Sequence, residues 1–173
     1  MKRFAIGTFL MLLLGALSTY AQMPTPKPAP ELKKLDYFLG TWTLEGDMKP
    51  GPMGPGGKMT ETERTEWMDG GFFLVSHIDF KSAGMGNGTG ISFLGYNAND
   101  KVYTYDGFNS MGEAEHAKGT PDGDTAEEKM NGQTMNGRFT IKQLTPTSYS
   151  FKFEMAPPGG EFATVMDGKA TKK

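Results

Sequence analysis

The sequence contains no cysteine, only two histidines and no excess of basic residues. Without cysteine the chain cannot form disulfides, thiolate metal sites or a lipidated N-terminal cysteine. Its formal net charge of −2 lacks the basic footprint that binding to phosphates requires, so nucleic acid is excluded as a partner. Long helices are disfavoured because glycine contributes 24 residues and proline 11. Aromatic residues make up 12% of the chain, which is enough to build a folded core.

The N-terminus has the composition of an export signal. Lys2 and Arg3 precede an apolar stretch that runs from Phe4 to Leu17, and Thr19-Tyr20-Ala21 supplies the small residues that signal peptidase recognises. The apolar stretch is shorter than the ~20 residues that a membrane-spanning helix needs. We therefore expect a signal peptide over residues 1–21, no membrane insertion after its cleavage, and a mature protein that is periplasmic or secreted.

The mature chain begins with a proline-rich segment and continues as one domain. Residues 22–31 carry a proline at every second position from 24 to 30, which favours an extended linker. Leu32, Leu35 and Phe38 then share one helical face, and Gly40 follows as a helix terminator. We expect a short helix and a single β-domain over residues 32–173.

Beyond Gly40 the hydrophobic period changes to two. The clearest example has Tyr149, Phe151, Phe153 and Met155 alternating with polar residues, as in a strand with one buried face. Turn sequences recur throughout, including the glycine-rich runs at 51–57 and 84–90 and the turns at 121–124 and 131–132. No segment resembles a crossover helix. The sequence thus predicts an all-β fold, a ten-stranded antiparallel up-and-down barrel with a short N-terminal helix.

Leu39-Gly40-Thr41-Trp42, after the helix and at the start of the first strand, resembles the G-x-W motif of calycins such as lipocalins, fatty-acid-binding proteins and nitrobindins. The ordered segments LDYFLGTWTLEG, TEWMDGGFFLV, GISFLGYNANDKVYTY and GGEFATVMDGKATKK are more similar to an exported bacterial family, domain of unknown function fifteen-seventy-nine. The resemblance implies a calycin-like barrel in which Trp42 plugs one end beneath the helix. Calycins of this type often stack an arginine on that tryptophan, whereas this chain has Lys169, Lys172 and Lys173 near its C-terminus.

Four charged residues form a candidate polar site. A two-residue turn near Asp69-Gly70 pairs the flanking strands so that Arg64, Glu66, His77 and Asp79 share one face. Glu61, Glu63, Thr65 and Trp67 then share the other face with Leu74, Ser76 and Ile78. If the first group faces the lumen, it can orient a polar ligand group. The alternative is a solvated outer face with weak ion pairs, which the more apolar character of the Phe72–Phe80 face favours.

The favoured function is the binding of a small apolar or amphipathic ligand inside the barrel. The residues predicted to line the lumen are Trp42, Phe72, Phe93, Tyr103, Tyr149, Phe151 and Phe153. The ligand-binding set is predicted to comprise Trp42, Arg64, His77, Phe93, Tyr103 and Phe151. One alternative is an enzyme that uses Arg64, Glu66, His77 and Asp79 in the same cavity, although no G-x-S-x-G, HExxH or paired-carboxylate motif is present. Another is an exported scaffold with a filled lumen.

No cofactor or metal is predicted, and the oligomeric state is left open. Glu113 and His116 have the E-x-x-H spacing of metal-binding helices, but a strand places residues three apart on opposite faces. With two histidines and no cysteine, a closed zinc site would need carboxylates for its remaining ligands. Neither histidine lies near the C-terminal strands, where nitrobindin-type barrels hold their haem ligand.

The export signal predicts the mass of the mature protein. Expressed from its full-length gene in a bacterial host, the protein is expected in the periplasm or medium with Gln22 as its first residue, because cleavage follows Ala21. Intact-mass spectrometry of the exported fraction measures this directly. An exported chain that retains Met1 contradicts the prediction.

Overall fold

The computed structural model describes residues 26–51, 54–84, 86–119, 128–129 and 136–173. The expected signal peptide and the expected turns at 121–124 and 131–132 lie outside these residues. A 3₁₀ helix spans Pro30–Phe38 and so begins within the predicted linker. A proline at the start of the helix loses no hydrogen bond, because the first backbone N–H groups of a helix have no partner within it. Nowhere in the described ranges is a helix long and apolar enough to cross a bilayer.

The rest of the described chain is built from β-strands that form one antiparallel sheet. Their bounds are β1 Gly40–Met48, β2 Gly57–Trp67, β3 Phe73–Ser82, β4 Gly86–Asn97, β5 Val102–Asn109, β6 Ala114–Gly119, β7 Glu128–Lys129, β8 Asn136–Thr145, β9 Ser148–Ala156 and β10 Ala163–Lys172. Nine of these have six residues or more, whereas β7 has two. The predicted all-β antiparallel architecture and its short N-terminal helix are confirmed.

The strand order is β6-β5-β4-β3-β2-β1-β10-β9-β8-β7, so consecutive strands are hydrogen-bonded neighbours except for β6 and β7, and β1 also pairs with β10. This pairing aligns Trp42 with Lys172 and Met48 with Met166. The sheet curls into a half-barrel, and among the described residues no hydrogen-bonded ladder joins β6 to β7. The up-and-down order agrees with the sequence expectation. The described residues do not extend to ten full strands in a closed cylinder.

Trp42 lies at the base of the sheet, beneath the helix. Only 1% of its surface is exposed, and its indole Nε1 donates a 2.9 Å hydrogen bond to the carbonyl oxygen of Phe38. The rings of Tyr37 and Tyr149 lie 5.3 and 5.0 Å from it, centroid to centroid. Lys172 places its Nζ 5.6 Å from the indole centroid, so a lysine ammonium occupies the position over the tryptophan.

The helix is attached to the sheet by a second apolar cluster. Leu32 and Leu35 are buried together with Leu74 of β3. Tyr103 donates its hydroxyl to the carbonyl oxygen of Glu31 at 3.0 Å, which links β5 to the first turn of the helix. Gly40 has a φ of +97°, a conformation that L-residues rarely adopt, and this bend directs the chain from the helix into β1. Together these contacts cover one end of the curled sheet.

The glycine-rich run at 84–90 is not the loop that its composition predicts. Strand β4 begins at Gly86, and residues 86–90 of the run pair one by one with the end of β3. A Cβ atom at Gly88 would collide with the ring of Phe80, which lies opposite in the ladder. The glycines therefore extend the strand and leave space for an aromatic side chain.

Strand β9 confirms the clearest sequence pattern. Tyr149, Phe151, Phe153 and Met155 are all buried on the inner face. Glu154 on the opposite face is also buried, because Lys152 and Arg138 form ion pairs with it at 2.9 and 2.7 Å. The hydrogen bond from Lys152, reinforced by Arg138, lowers the pKa of Glu154. The outer face of this strand is therefore ordered by charge pairs rather than left open to solvent.

Replacement of the two tryptophans by phenylalanine tests the role of Trp42. Trp42→Phe is expected to lower the free energy of unfolding by about 2 kcal/mol, because it leaves a cavity and removes the hydrogen bond to Phe38. The matched control Trp67→Phe removes a hydrogen bond to Asp36 at a more exposed site and is expected to cost less than about 1 kcal/mol. Urea unfolding followed by far-ultraviolet circular dichroism measures both. Equal costs would contradict the assignment of Trp42 as the structural base.

Candidate ligand-binding cavity

The curled sheet and the helix enclose a cavity of about 630 Å³. This volume lies within the range of sites that hold small molecules. The helix contributes Leu35 and Phe38 to its wall, and side chains from both halves of the sheet contribute the remainder. The lumen is therefore hollow, which contradicts the alternative of a scaffold with a filled interior.

Most of the wall is apolar. Its aromatic members come from the helix and from four strands: Phe38, Phe80, Tyr103, Tyr105, Phe108, Phe139, Tyr149, Phe151 and Phe153. Phe139 and Phe151 stack nearly parallel, with centroids 5.8 Å apart and an interplanar angle of 10°. Aliphatic side chains such as Leu44, Leu74 and Ile78 fill the spaces between the rings. Such a wall gains free energy by removing the apolar surface of a ligand from water.

Three carboxylates interrupt the apolar wall. Glu61 and Glu63 project from β2, and Glu115 projects from β6. Register explains their orientation: Glu63 pairs with Ile78, Glu61 pairs with Phe80, and Glu115 pairs with Gly107, all residues of the cavity wall. Three strands separate β2 from β6 in the sheet, yet the charge of Glu115 acts on Glu61 across the lumen. We call Glu61, Glu63 and Glu115 the acidic wall.

Burial is the main cause of the raised pKa values of the three glutamates in the acidic wall. It raises the pKa of Glu61 to about 8, and the charges of Glu63 and Glu115 add to the effect. Burial also raises the pKa of Glu63, although hydrogen bonds from Ser76 and Thr65 oppose the shift. The pKa of Glu115 is raised by burial and then by the charge of Glu113. At neutral pH, therefore, Glu61 is mostly protonated.

The hydroxyl groups around the acidic wall are arranged asymmetrically. Thr65 and Ser76 are hydrogen-bonded to each other at 2.8 Å and contact Glu63. Tyr105 lies on the opposite side with Ser92 as its hydrogen-bond partner, and burial raises the pKa of its hydroxyl.

Glu61 has no hydrogen bond and no cation partner in the described part of the chain. The basic residue of the wall, Lys34, is exposed on the helix and forms no ion pair with the three glutamates among the residues described.

Three predicted site residues lie at or beside the cavity. Tyr103 and Phe151 line it, as do Tyr149 and Phe153 from the wider set of lumen candidates. Trp42 is buried next to this wall within the cluster of Tyr149 and Phe151, but it does not reach the open space. Its role in the cavity is to support the aromatic residues that do.

The prediction that Arg64 and His77 line the lumen is wrong. They pair directly with each other in the β2–β3 ladder, as the turn geometry predicts, but both are exposed on the outer face. Arg64 donates to Asp79 at 2.8 Å in an ion pair with both side chains more than half exposed. The odd-numbered residues of β2 face the cavity, so the even-numbered Arg64 and Glu66 face solvent.

The prediction that Phe93 and Phe72 line the lumen is also wrong. Phe93 lies on the outer face, opposite Val75 and Asp106, because the smaller Ser92 and the aliphatic Leu94 face the cavity. Phe72 precedes β3 and is half-buried outside the wall. In both places the aromatic residue was assigned to the lumen by type, whereas the register of the neighbouring strand decides which face it occupies.

The acidic wall was missed although its signal was present. The turn geometry already grouped Glu61 and Glu63 with Leu74, Ser76 and Ile78, which form the more apolar face of the hairpin. Placing that face inward necessarily places the glutamates inward. Glu115 could not be assigned in the same way, because its position opposite Glu61 depends on the curl of four intervening strand pairs.

Neither histidine of the chain lies in the wall of this cavity. His77 is exposed on β3, and His116 pairs with Asp106 at 2.6 Å on the outer face of β6. Within the described ranges no group of three histidine, aspartate or glutamate side chains has the arrangement of a metal site. The described polar side chains of the cavity wall are those of Glu, Tyr, Ser and Thr residues, together with Lys34, Asn109 and Gln143.

Comparison with known proteins supports the fold and identifies a family. The model of the family described as "Protein of unknown function (DUF1579)" matches residues 27–172. The chain belongs to the DUF1579 family. No curated protein matches the chain.

Two solved structures resemble this DUF1579 protein. Rv2717c from M. tuberculosis superposes with a TM-score of 0.63 at 14% identity, over 85% of this chain and 99% of the other. A protein with unknown function from the DUF3598 family of Nostoc punctiforme superposes with a TM-score of 0.54 at 14% identity, over 87% of this chain and 53% of the other. At these identities the likeness concerns the fold alone.

The buried position of Glu61 predicts how the stability of this DUF1579 protein depends on pH. Its pKa is near 8 in the folded state and near 4.5 when unfolded, so the folded state binds more protons between these values and stability falls as pH rises through them. Glu61→Gln removes this cost, and we expect the variant to exceed the wild type by on the order of 2 kcal/mol at pH 8, with no difference near pH 4.

Urea unfolding at pH 4, 6 and 8 measures the effect of Glu61→Gln. The matched control is Glu66→Gln, which removes an exposed carboxylate from the outer face of the same strand and is expected to change stability little at any pH. A Glu61→Gln variant whose stability follows the wild type at all three pH values would show that Glu61 is not buried.

Proposed function

We propose that this protein is an exported binding protein that holds a small apolar or amphipathic molecule in the lumen of a closed, calycin-like barrel. The observation that carries the proposal is the hollow lumen of about 630 Å³ with a mainly aromatic and aliphatic wall. Burial of apolar surface contributes ~25 cal/mol per Å², so a ligand that buries ~200 Å² gains roughly 5 kcal/mol before polar contacts are counted. Such a gain is enough for a specific site of moderate affinity.

Closure of the barrel is supported by the arrangement of its edges. The first and last strands already pair, since β1 bonds to β10 along its length. β6 and β7, the two ends of the sheet, lie next to each other. A closed cylinder removes both exposed edges and encloses the ligand on every side.

Export is supported by the sequence of residues 1–21 and by the absence of cysteine, which makes folding independent of the redox state of the compartment. A binding protein in the periplasm or medium meets its ligand outside the cytoplasm. The oligomeric state has no bearing on this function, since a single chain supplies the wall of the cavity.

Binding is preferred to catalysis for a structural reason. The catalytic alternative placed Arg64, His77 and Asp79 in the lumen, and all three lie on the outer face. The cavity instead presents carboxylates and hydroxyls, and its basic residue, Lys34, forms no ion pair with the three glutamates among the described residues. This arrangement is suited to holding a molecule and lacks the pairing of nucleophile with base that covalent catalysis uses.

A pair of substitutions on adjacent residues of β3 tests the proposal. Ile78→Trp places a larger side chain in the lumen, whereas His77→Trp places the same side chain on the outer face. Titration of the mature protein with the neutral fluorescent probe N-phenylnaphthylamine is expected to show binding to the wild type and to His77→Trp. The Ile78→Trp variant is expected to bind at least about tenfold more weakly, because the added ring occupies ligand volume.

Circular dichroism confirms that each variant is folded. If Ile78→Trp does not fold, Ala117→Phe fills the lumen from β6 and serves as a second variant. A wild type that does not bind the probe, or equal affinities for cavity and surface variants, would contradict the proposal.

A further inference from the structure

We propose that the cavity is selective for amphipathic ligands with a cationic amine at one end, and that the acidic wall receives the ammonium group. This inference rests on the proposed function and specifies the chemical class of its ligand. It follows from three observations: a large, mostly apolar cavity, three glutamates that project into it, and a carboxylate among them that has no partner in the described part of the chain.

Glu61 is the side chain that points to a missing ligand group. It projects from β2 into the cavity, where it is half-buried, and it has neither a hydrogen bond nor a cation in the described part of the chain. A carboxylate within a mostly apolar wall is costly when it has no partner, and native proteins pair most such groups. An ammonium group supplies three N–H donors and the positive charge that the cluster of glutamates lacks.

The remaining groups around Glu61 favour a cation over an anion or a neutral polar group. Glu63 and Glu115 add negative charge, and Glu113 lies near the same side of the cavity, so a carboxylate or phosphate would be repelled. A neutral alcohol can exchange hydrogen bonds with these oxygens, but it gains no charge-assisted interaction. An ammonium gains both, in surroundings where the effective dielectric constant is lower than in water.

Groups from every neighbouring strand face the acidic wall. They comprise Thr65 from β2, Ser76 from β3, Ser92 from β4, Tyr105 from β5, Glu113 immediately before β6, and Tyr149 from β9. The charges of Glu61 and Glu63 act on the Tyr149 hydroxyl, which places this tyrosine across the lumen from β2. Its aromatic ring and that of Tyr105 can contribute cation–π attraction to the same ammonium.

The apolar part of the wall accommodates the rest of such a ligand. Phe139, Phe151 and Phe153 come from β8 and β9, on the other half of the curled sheet from β2–β6. A molecule with an alkyl or aryl body and a terminal amine therefore satisfies both parts of the cavity at once. Binding also moves one proton: the ammonium stabilises the Glu61 carboxylate, so a protonated Glu61 releases its proton to the buffer when the amine binds.

Three ligands with the same alkyl chain test the selectivity. Dodecylamine, dodecanol and dodecanoate are used at submicellar concentrations and pH 7 to displace N-phenylnaphthylamine from the mature wild-type protein. We expect dodecylamine to bind at least about tenfold more tightly than dodecanol, and dodecanoate to bind most weakly. Glu61→Gln is expected to lose most of the preference for the amine while its affinity for dodecanol changes little.

The matched control is Glu66→Gln, which carries the same substitution on the outer face of β2 and is expected to bind all three ligands as the wild type does. Calorimetry at pH 7 in two buffers of different ionisation enthalpy supplies a second measurement. Because the pKa of Glu61 is about 8, the wild type is expected to release about one proton for each dodecylamine bound, and Glu61→Gln is expected to release almost none.

The outcomes separate this inference from the proposed function. Binding of the probe with equal displacement by all three ligands, or with dodecanoate as the strongest, overturns amine selectivity and leaves the cavity as a binding site. Calcium that displaces the probe in the wild type but not in Glu61→Gln, without any preference for the amine, also overturns it. A wild type that binds no probe overturns the proposed function and this inference together.

Discussion

The pairing of β1 with β10 is the constraint on which the rest of the structure depends. It joins the two ends of the domain, so a meander of hairpins becomes a curled sheet with a distinct inside and outside. Trp42 lies within this pairing and packs against Tyr37 and Tyr149, which couples the first strand to the helix and to β9. Without that junction, the strands that carry the acidic wall and those that carry the phenylalanines would not face each other across one cavity.

The turn sequences predicted which residues pair across neighbouring strands, but they did not predict which face of each strand lies inside the curled sheet. The turn at Asp69-Gly70 sets the register of β2 and β3, and the predicted pair of Arg64 with His77 is present in the ladder. Strand β2, however, has charged residues on both faces, so its own pattern does not identify the inner one. The inner face follows from Leu74 and Ile78 of the adjoining strand. The apolar character of that face already favoured a solvated outer face for Arg64 and His77, although both were included in the predicted ligand-binding set.

The features of the site that could not be predicted depend on contacts between residues that are far apart in the sequence. Glu115 belongs to the acidic wall only because the sheet bends through β3, β4 and β5 before β6 returns to face β2. The likeness of Gly40-Thr41-Trp42 to the start of a calycin strand indicated the buried tryptophan, but it carried no information about the polarity of the lumen. Cavity chemistry of this kind varies among proteins of one fold, since it depends on a few inward positions.

The acidic wall reduces the stability of the empty protein, and this cost is informative. Burial of Glu61 disfavours its charged form, and a leucine or glutamine at the same position would avoid the penalty. Carboxylates of the outer face, such as Glu154 with Arg138 and Lys152, have partners that lower their pKa. Glu154 thus has charged partners within the chain, whereas Glu61 has none among the described residues. This contrast is the basis of our proposal that the partner of Glu61 arrives with a ligand.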